Sequence, residues 1–229
     1  MTDAPGDAKW PRLLALTAHE FRTPISVVSG YIRMVLKDPA GTLDERYRRM
    51  LQEAEKSCGR LTALAAEMSD LSHLEDQTAS FKPTQVDLHD LLVQAIAALP
   101  DSAGRTIAVK LTTSTTPITI EADATRLVRA LTSILWGLGR EAVGGDQLVV
   151  RERGGTYQGR AASWIAIAEP AEIDRLADGP IESLTTFDEW RGGCGLSLAI
   201  ARRTINRHGG ALWSPAEGTK AGAVLVLPR

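Results

Sequence analysis

Apolar residues recur along the first third of the chain in alternating steps of four and three. Leu14, Ala18, Phe21, Ile25, Val28, Ile32 and Val35 form one such seam; Tyr47, Leu51, Ala54, Cys58, Leu61, Ala65 and Met68 form a second. Heptad spacing predicts helices packed along one stripe against other helices. The first helix is expected from Trp10 to Lys37, ending at the turn residues Asp38-Pro39-Ala40-Gly41-Thr42. The second is expected to end after Leu71 or Leu74, and residues 1–8, small and polar, to fray. Two antiparallel helices cannot hide both seams alone. A homodimer completing a four-helix bundle is the simplest solution, and a monomeric hairpin resting on the rest of the chain is its rival.

The pattern then changes. Residues 77–83 are a polar linker, after which Gln85 opens an amphipathic helix with Asp87 as N-cap, running to about Leu99. Residues 107–112 and 118–121 alternate as strands, and 124–142 are helical. Strands at 147–152 and 164–168 are joined by a turn around Gly154-Gly155. A helix over 196–208 stops at Gly209-Gly210, and 211–214 with 224–227 close a hairpin. Expected, then, are a helical hairpin over 1–76 and an α+β sandwich over 84–229, with helices on one side of a mixed sheet.

Composition narrows the function classes. With 24% charged and 44% hydrophobic residues among 229, the chain is ordinary for a globular protein. A net charge of −2 gives no basic field for nucleic acid. No apolar run is long enough for a membrane segment and no signal peptide opens the sequence, so the expected location is cytoplasmic. Cys58 and Cys194 lie in different expected units and read as free thiols. His73, His89 and His208 have no partners at metal or catalytic spacing and read as surface residues, so no metal site is expected.

One stretch does carry chemistry. His19 lies one residue off the first seam, at the edge of the packed face, beside Glu20. Pro24 follows within the same helix. It has no N–H to give and crowds the Glu20 carbonyl, so a bend is expected just after the histidine. A neutral imidazole offers a lone pair at one nitrogen and a proton at the other near neutral pH, and an acid holding the second nitrogen makes the first a better nucleophile.

His19-Glu20-Phe21-Arg22-Thr23-Pro24-Ile25 resembles the H-box of the sensor histidine kinases of two-component systems. The resemblance implies that His19 carries a phosphoryl group, that Glu20 is the base polarising it, and that Thr23 positions a water for dephosphorylating the regulator. It also implies a homodimeric hairpin, a response-regulator receiver domain as partner, and a gyrase-type ATP-binding domain over the sandwich. Only eighteen residues precede His19, so an input domain belongs either to a longer form of the chain or to a partner.

In this family the nucleotide site has three boxes. Gly192-Gly193-Cys194-Gly195-Leu196-Ser197 resembles the glycine-rich loop beside the triphosphate, making Gly193, Gly195 and Leu196 nucleotide-binding candidates. Ser197 stands where a glycine is usual. Asp123, Arg126 and Leu127 match the start of another box, but its two asparagines are Ser133 and Gly137, and Gly137 offers no oxygen to the magnesium of Mg-ATP. Ala168-Glu169-Pro170-Ala171-Glu172 replaces the Asp-x-Gly-x-Gly that holds adenine, leaving Glu169 as a longer stand-in. Each lost hydrogen bond to a charged group costs about 1.5–3 kcal/mol. Two or three such losses weaken binding by roughly 10²–10⁵. Residues 170–191, the family's lid, carry Phe187 and Trp190 and are expected to fold over the pocket. The reading is a phosphotransfer protein working through His19 without its own ATP. The alternatives are an ATP-dependent kinase with drifted boxes and a non-catalytic docking module.

Overall fold

The computed structural model describes residues 9–38, 41–100, 107–112, 117–142, 147–215 and 221–229. Residues 1–8, expected to fray, and Pro39-Ala40 of the first turn lie outside the described residues. The chain divides into two compact units, 1–79 and 80–229. No described helix is long and apolar enough to cross a membrane.

The first unit is a helical hairpin, α1 (Trp10–Lys37) and α2 (Glu45–Glu75). Pro11 sits in the first turn of α1, where a missing N–H costs nothing, and Asp44 caps α2 by accepting from the Arg46 amide at 2.8 Å. At the turn, the Leu43 amide donates to Asp38 at 2.7 Å and holds that carboxyl below its ordinary pKa. At the open end, the buried Ser72 hydroxyl donates to the Pro11 carbonyl at 2.7 Å. The two registers of each seam have separate fates. Ala18 is fully buried and Ile25 and Ile32 half-buried, as Leu51, Cys58 and Ala65 are buried or half-buried on α2. Phe21 is 54% exposed, and Val28, Val35, Tyr47 and Leu61 are exposed as well. The hairpin therefore covers one register and leaves the other as an open apolar stripe.

The second unit opens with β1 (Thr84–Asp87), antiparallel to β3 (Thr119–Ala122). Gln85 and Val86 are thus in a strand, not in the expected helix. Asp87 is extended at ψ 125° and accepts from the His89 amide at 2.8 Å, so α3 (Leu88–Ala97) cannot start before it. The remaining elements are β2 (Ala108–Thr112), α4 (Ala124–Glu141), β4 (Gln147–Tyr157), β5 (Arg160–Ala168), α5 (Ile173–Asp178), β6 (Leu184–Thr186), α6 (Ser197–Arg207), β7 (Ala211–Pro215) and β8 (Gly222–Pro228). Six strands form one sheet in the order β2-β4-β5-β8-β7-β6, with only the β2–β4 pair parallel.

Strand alternation sorts the core. Ile165, Ile167, Ala223, Leu225 and Leu227 face α3, α4 and α6, whereas Trp164, Ala166, Val224 and Val226 face the other way, toward Ile173, Leu176 and Ala177 of α5. Helices were expected on one side only; α5 covers part of the reverse face. Gly154-Gly155 is not the β4–β5 turn but lies within β4, opposite Ser163 and Ala162. Gly155 makes room there for the Trp164 indole, which a Cβ would approach to 2.9 Å. The turn is Gln158-Gly159, both at positive φ. At the end of α6, Gly209 (φ 73°) donates to the Asn206 carbonyl and Gly210 to that of Ile205, the paired bonds of a Schellman stop.

Candidate phosphotransfer site

His19, Glu20 and Thr23 are exposed on α1. The side chains recorded beside them bond only within the helix: Thr17 donates to the Leu13 carbonyl and Ser26 to that of Arg22, each at 2.8 Å. Pro24 stays inside α1 and leaves the Glu20 carbonyl without its helical donor. His19 therefore stands exposed on a helix, open to solvent in the described hairpin.

The glycine-rich loop lies in the second unit, with Gly192, Gly193 and Gly195 at φ 66°, 59° and 61°. Those left-handed conformations require glycine. The loop packs directly on α4. A Cβ on Gly137 would meet the Leu198 methyls at 3.1 and 3.2 Å and Cys194 Sγ at 3.4 Å, and a Cβ on Gly192 would lie 2.9 Å from the Gly137 carbonyl. A side chain at 137 would be crowded by Leu198, itself buried. Burial raises the pKa of the Cys194 thiol, and Glu141 adds to the rise against the opposing Arg140.

Charged side chains fix the loop's approaches. Arg191 Nε donates to Glu141 at 2.8 Å, and its Nη2 bonds the same carboxylate. Its Nη1 reaches Ser214 Oγ and the Gly222 carbonyl, both at 3.1 Å, and its guanidinium lies 5.9 Å from the Phe187 ring centroid. Arg140 donates to the Gly193 carbonyl at 3.4 Å. The buried carboxylate of Glu189 takes Arg202 at 3.2 Å and also Arg203. Residues 170–191 do not form one continuous loop. They run through α5 on the reverse face, through β6 paired with β7, and back to Phe187 in the helix-side core, with Trp190 74% exposed. Glu169 is buried, and its carbonyl accepts the Glu172 amide in the turn leading to α5.

Residues 11–77 match the His Kinase A (phospho-acceptor) domain. The chain is 28% identical over 209 residues to histidine protein kinase DivJ of Caulobacter vibrioides, covering 88% of this chain and 34% of that protein. It is 27% identical over 228 residues to sensor histidine kinase ZraS of Salmonella typhimurium, covering 94% and 45%. Residues 11–77 thus match a phospho-acceptor domain, and the chain is similar to the histidine kinases of two-component systems. It spans less than half the length of these relatives. Full-length ShkA, solved in complex with AMPPNP, superposes with a TM-score of 0.66 at 24% identity, over 94% of this chain and 45% of that one, a likeness of fold.

The candidates His19, Glu20 and Thr23 lie exposed on α1, and Gly193, Gly195 and Leu196 share one loop. Asp123, Arg126 and Leu127 begin α4, where Asp123 caps the Arg126 amide at 3.1 Å. Trp164 is buried, while Trp136 is only half-buried. Sequence reasoning missed Arg191, Glu141, Arg140 and Glu189. Arg191 and Glu141 are fifty positions apart, and no local pattern joins them. Reading His208 as a surface residue also needs correcting: it is half-buried, with Nε2 accepting the Asp123 amide at 3.1 Å.

Proposed function

We propose that this chain exchanges a phosphoryl group between His19 and an aspartate of a response-regulator receiver domain, as a cytoplasmic homodimer and without autophosphorylation from ATP. The observation that carries the reading is the contrast between an intact, exposed H-box and a nucleotide region where Gly137 offers no magnesium ligand and Leu198 and Cys194 crowd its Cβ position. The residues at hand do not fit Mg-ATP, so no step is routed through it. Transfer runs from the regulator. The neutral His19 imidazole attacks the phosphorus of the aspartyl phosphate, an N–P bond forms, the P–O bond to the carboxylate breaks, and Glu20 takes up the proton of the second ring nitrogen. Thr23 serves the reverse traffic by orienting water for hydrolysis at the regulator. The open stripe of Phe21, Val28, Val35, Tyr47 and Leu61 supports the dimer, because a second hairpin gives it an apolar partner.

An ATP-dependent kinase is the second reading, favoured by the three left-handed glycines at the start of α6 and by Asp123, Arg126 and Leu127 in place. Incubation with a prephosphorylated, radiolabelled receiver domain tests the first. Label is expected on the wild-type chain and absent from His19→Ala. A chain that stays unlabelled, or a His19→Ala variant that labels equally, overturns it.

A further inference from the structure

Residues 80–83, which lead into β1, are fastened to the second unit at one corner. The Lys82 amide donates to Asp123 Oδ2 at 3.0 Å, and Arg126 Nε donates to the Ser80 carbonyl at 3.0 Å. The Phe81 ring stands edge-on to His208 with 4.7 Å between centroids, and the Arg207 guanidinium lies 5.8 Å from the Phe81 centroid. His208 joins these pieces, and both its nitrogens are committed. Nδ1 is 2.7 Å from the Thr204 carbonyl, which only accepts, so Nδ1 carries a proton. Nε2 accepts the Asp123 amide at 3.1 Å, so it carries none. The ring is therefore neutral. A second proton would set a donor at Nε2 against the Asp123 N–H, breaking the contact that holds Asp123 in place to cap α4 and receive Lys82.

The surrounding charges are mixed. Asp123, at the β3–α4 junction, favours protonation of His208, while Arg126 on α4 opposes it. Arg207 is the preceding residue on α6. Across the hollow that His208 lines stand Glu121 of β3, Tyr157 of β4, Arg160 after the β4–β5 turn and Arg229 beyond β8; Lys82 itself is exposed. Burial is the largest influence on the ring and pushes its pKa below the ordinary value, against the Thr204 carbonyl and Asp123.

We propose that His208 is a proton-sensitive latch that holds residues 80–83 against the α4–α6 corner at neutral pH and releases them in acid. The folded state prefers the neutral ring. Its contribution is therefore complete above the unfolded value of 6.5 and is lost as pH falls from there through the lower folded value. Release lengthens the free chain between α2 and β1, so acidity sets how much slack follows the phosphoacceptor hairpin. The latch is independent of the phosphotransfer reading.

Hydrogen exchange on the full chain tests it. Corrected for intrinsic rates, protection of the Lys82 amide is expected to fall about threefold to tenfold between about pH 7.5 and about pH 5.5. His208→Gln keeps an acceptor near the Nε2 position and cannot charge, so its protection is expected to stay level. A wild-type protein with no such fall, or a variant with the same fall, overturns the proposal. Nitrogen-15 NMR of the wild-type ring gives a check that needs no variant. A neutral Nδ1–H tautomer titrating below 6.5 supports the latch, and an Nε2–H tautomer or a higher titration refutes it.

Discussion

Two regions of this molecule resemble parts of one signalling apparatus and differ in what surrounds their candidate residues. On α1, the histidine, acid and threonine of the H-box keep their spacing and face solvent. Around Gly137, the glycine loop holds three left-handed residues, Leu198 and Cys194 lie 3.1–3.4 Å from a Cβ placed at 137, and Arg191 is tied to Glu141. A phosphoacceptor needs only one nucleophile held on a helix. A nucleotide site needs an empty volume lined with oxygen ligands, and close packing removes such a volume once the residues defending it change.

The contrast can be broken most sharply at the histidine. His19→Ala is expected to lower receiver-to-chain transfer by about 10²-fold or more while the far-ultraviolet dichroism stays unchanged, because an exposed helical alanine costs nothing. Next comes the strap over the other region. Arg191→Ala leaves the part-buried Glu141 without its partner and is expected to destabilise the second unit by about 2–4 kcal/mol in urea unfolding, with transfer at His19 retained. Restoring the missing side chain sharpens the picture further. Gly137→Asn is expected to cost about 1–3 kcal/mol by crowding Leu198 and burying an amide, and to bring no Mg-ATP heat in calorimetry. Adding Leu198→Ala is expected to relieve the crowding. The smallest effect returns to α1: Glu20→Gln is expected to slow transfer about tenfold and to change stability by less than about 0.5 kcal/mol, since Glu20 is exposed.

Local signals carried much of the fold. Pro11 and the turn after Lys37 bound α1, and Asp87 and Asp123 cap α3 and α4 through bonds to amides two and three residues ahead. Features decided over long distances were illegible. Gly154-Gly155 looked like a turn because nothing nearby announces that the Trp164 indole needs the space. Gln85-Val86 looked helical because their strand partners, Glu121 and Ile120, lie far along the chain. The lid became α5 and β6 through a crossing to the reverse face that periodicity in a six-residue helix does not signal. At the candidate sites, the H-box was readable because its chemistry lies in consecutive residues. The crowding at Gly137 was only half readable: the absent asparagine shows in the sequence, and the Leu198 methyls beside Gly137 do not. His208 appeared idle because its partner Asp123 is eighty-five positions away.

The most direct measurement offers the same purified chain two phosphoryl donors in parallel, radiolabelled Mg-ATP and a radiolabelled phospho-receiver, and maps the label by His19→Gln. Label on His19 from the receiver and none from Mg-ATP is the predicted result. Label on His19 from Mg-ATP, or none from any phospho-receiver supplied, would contradict it.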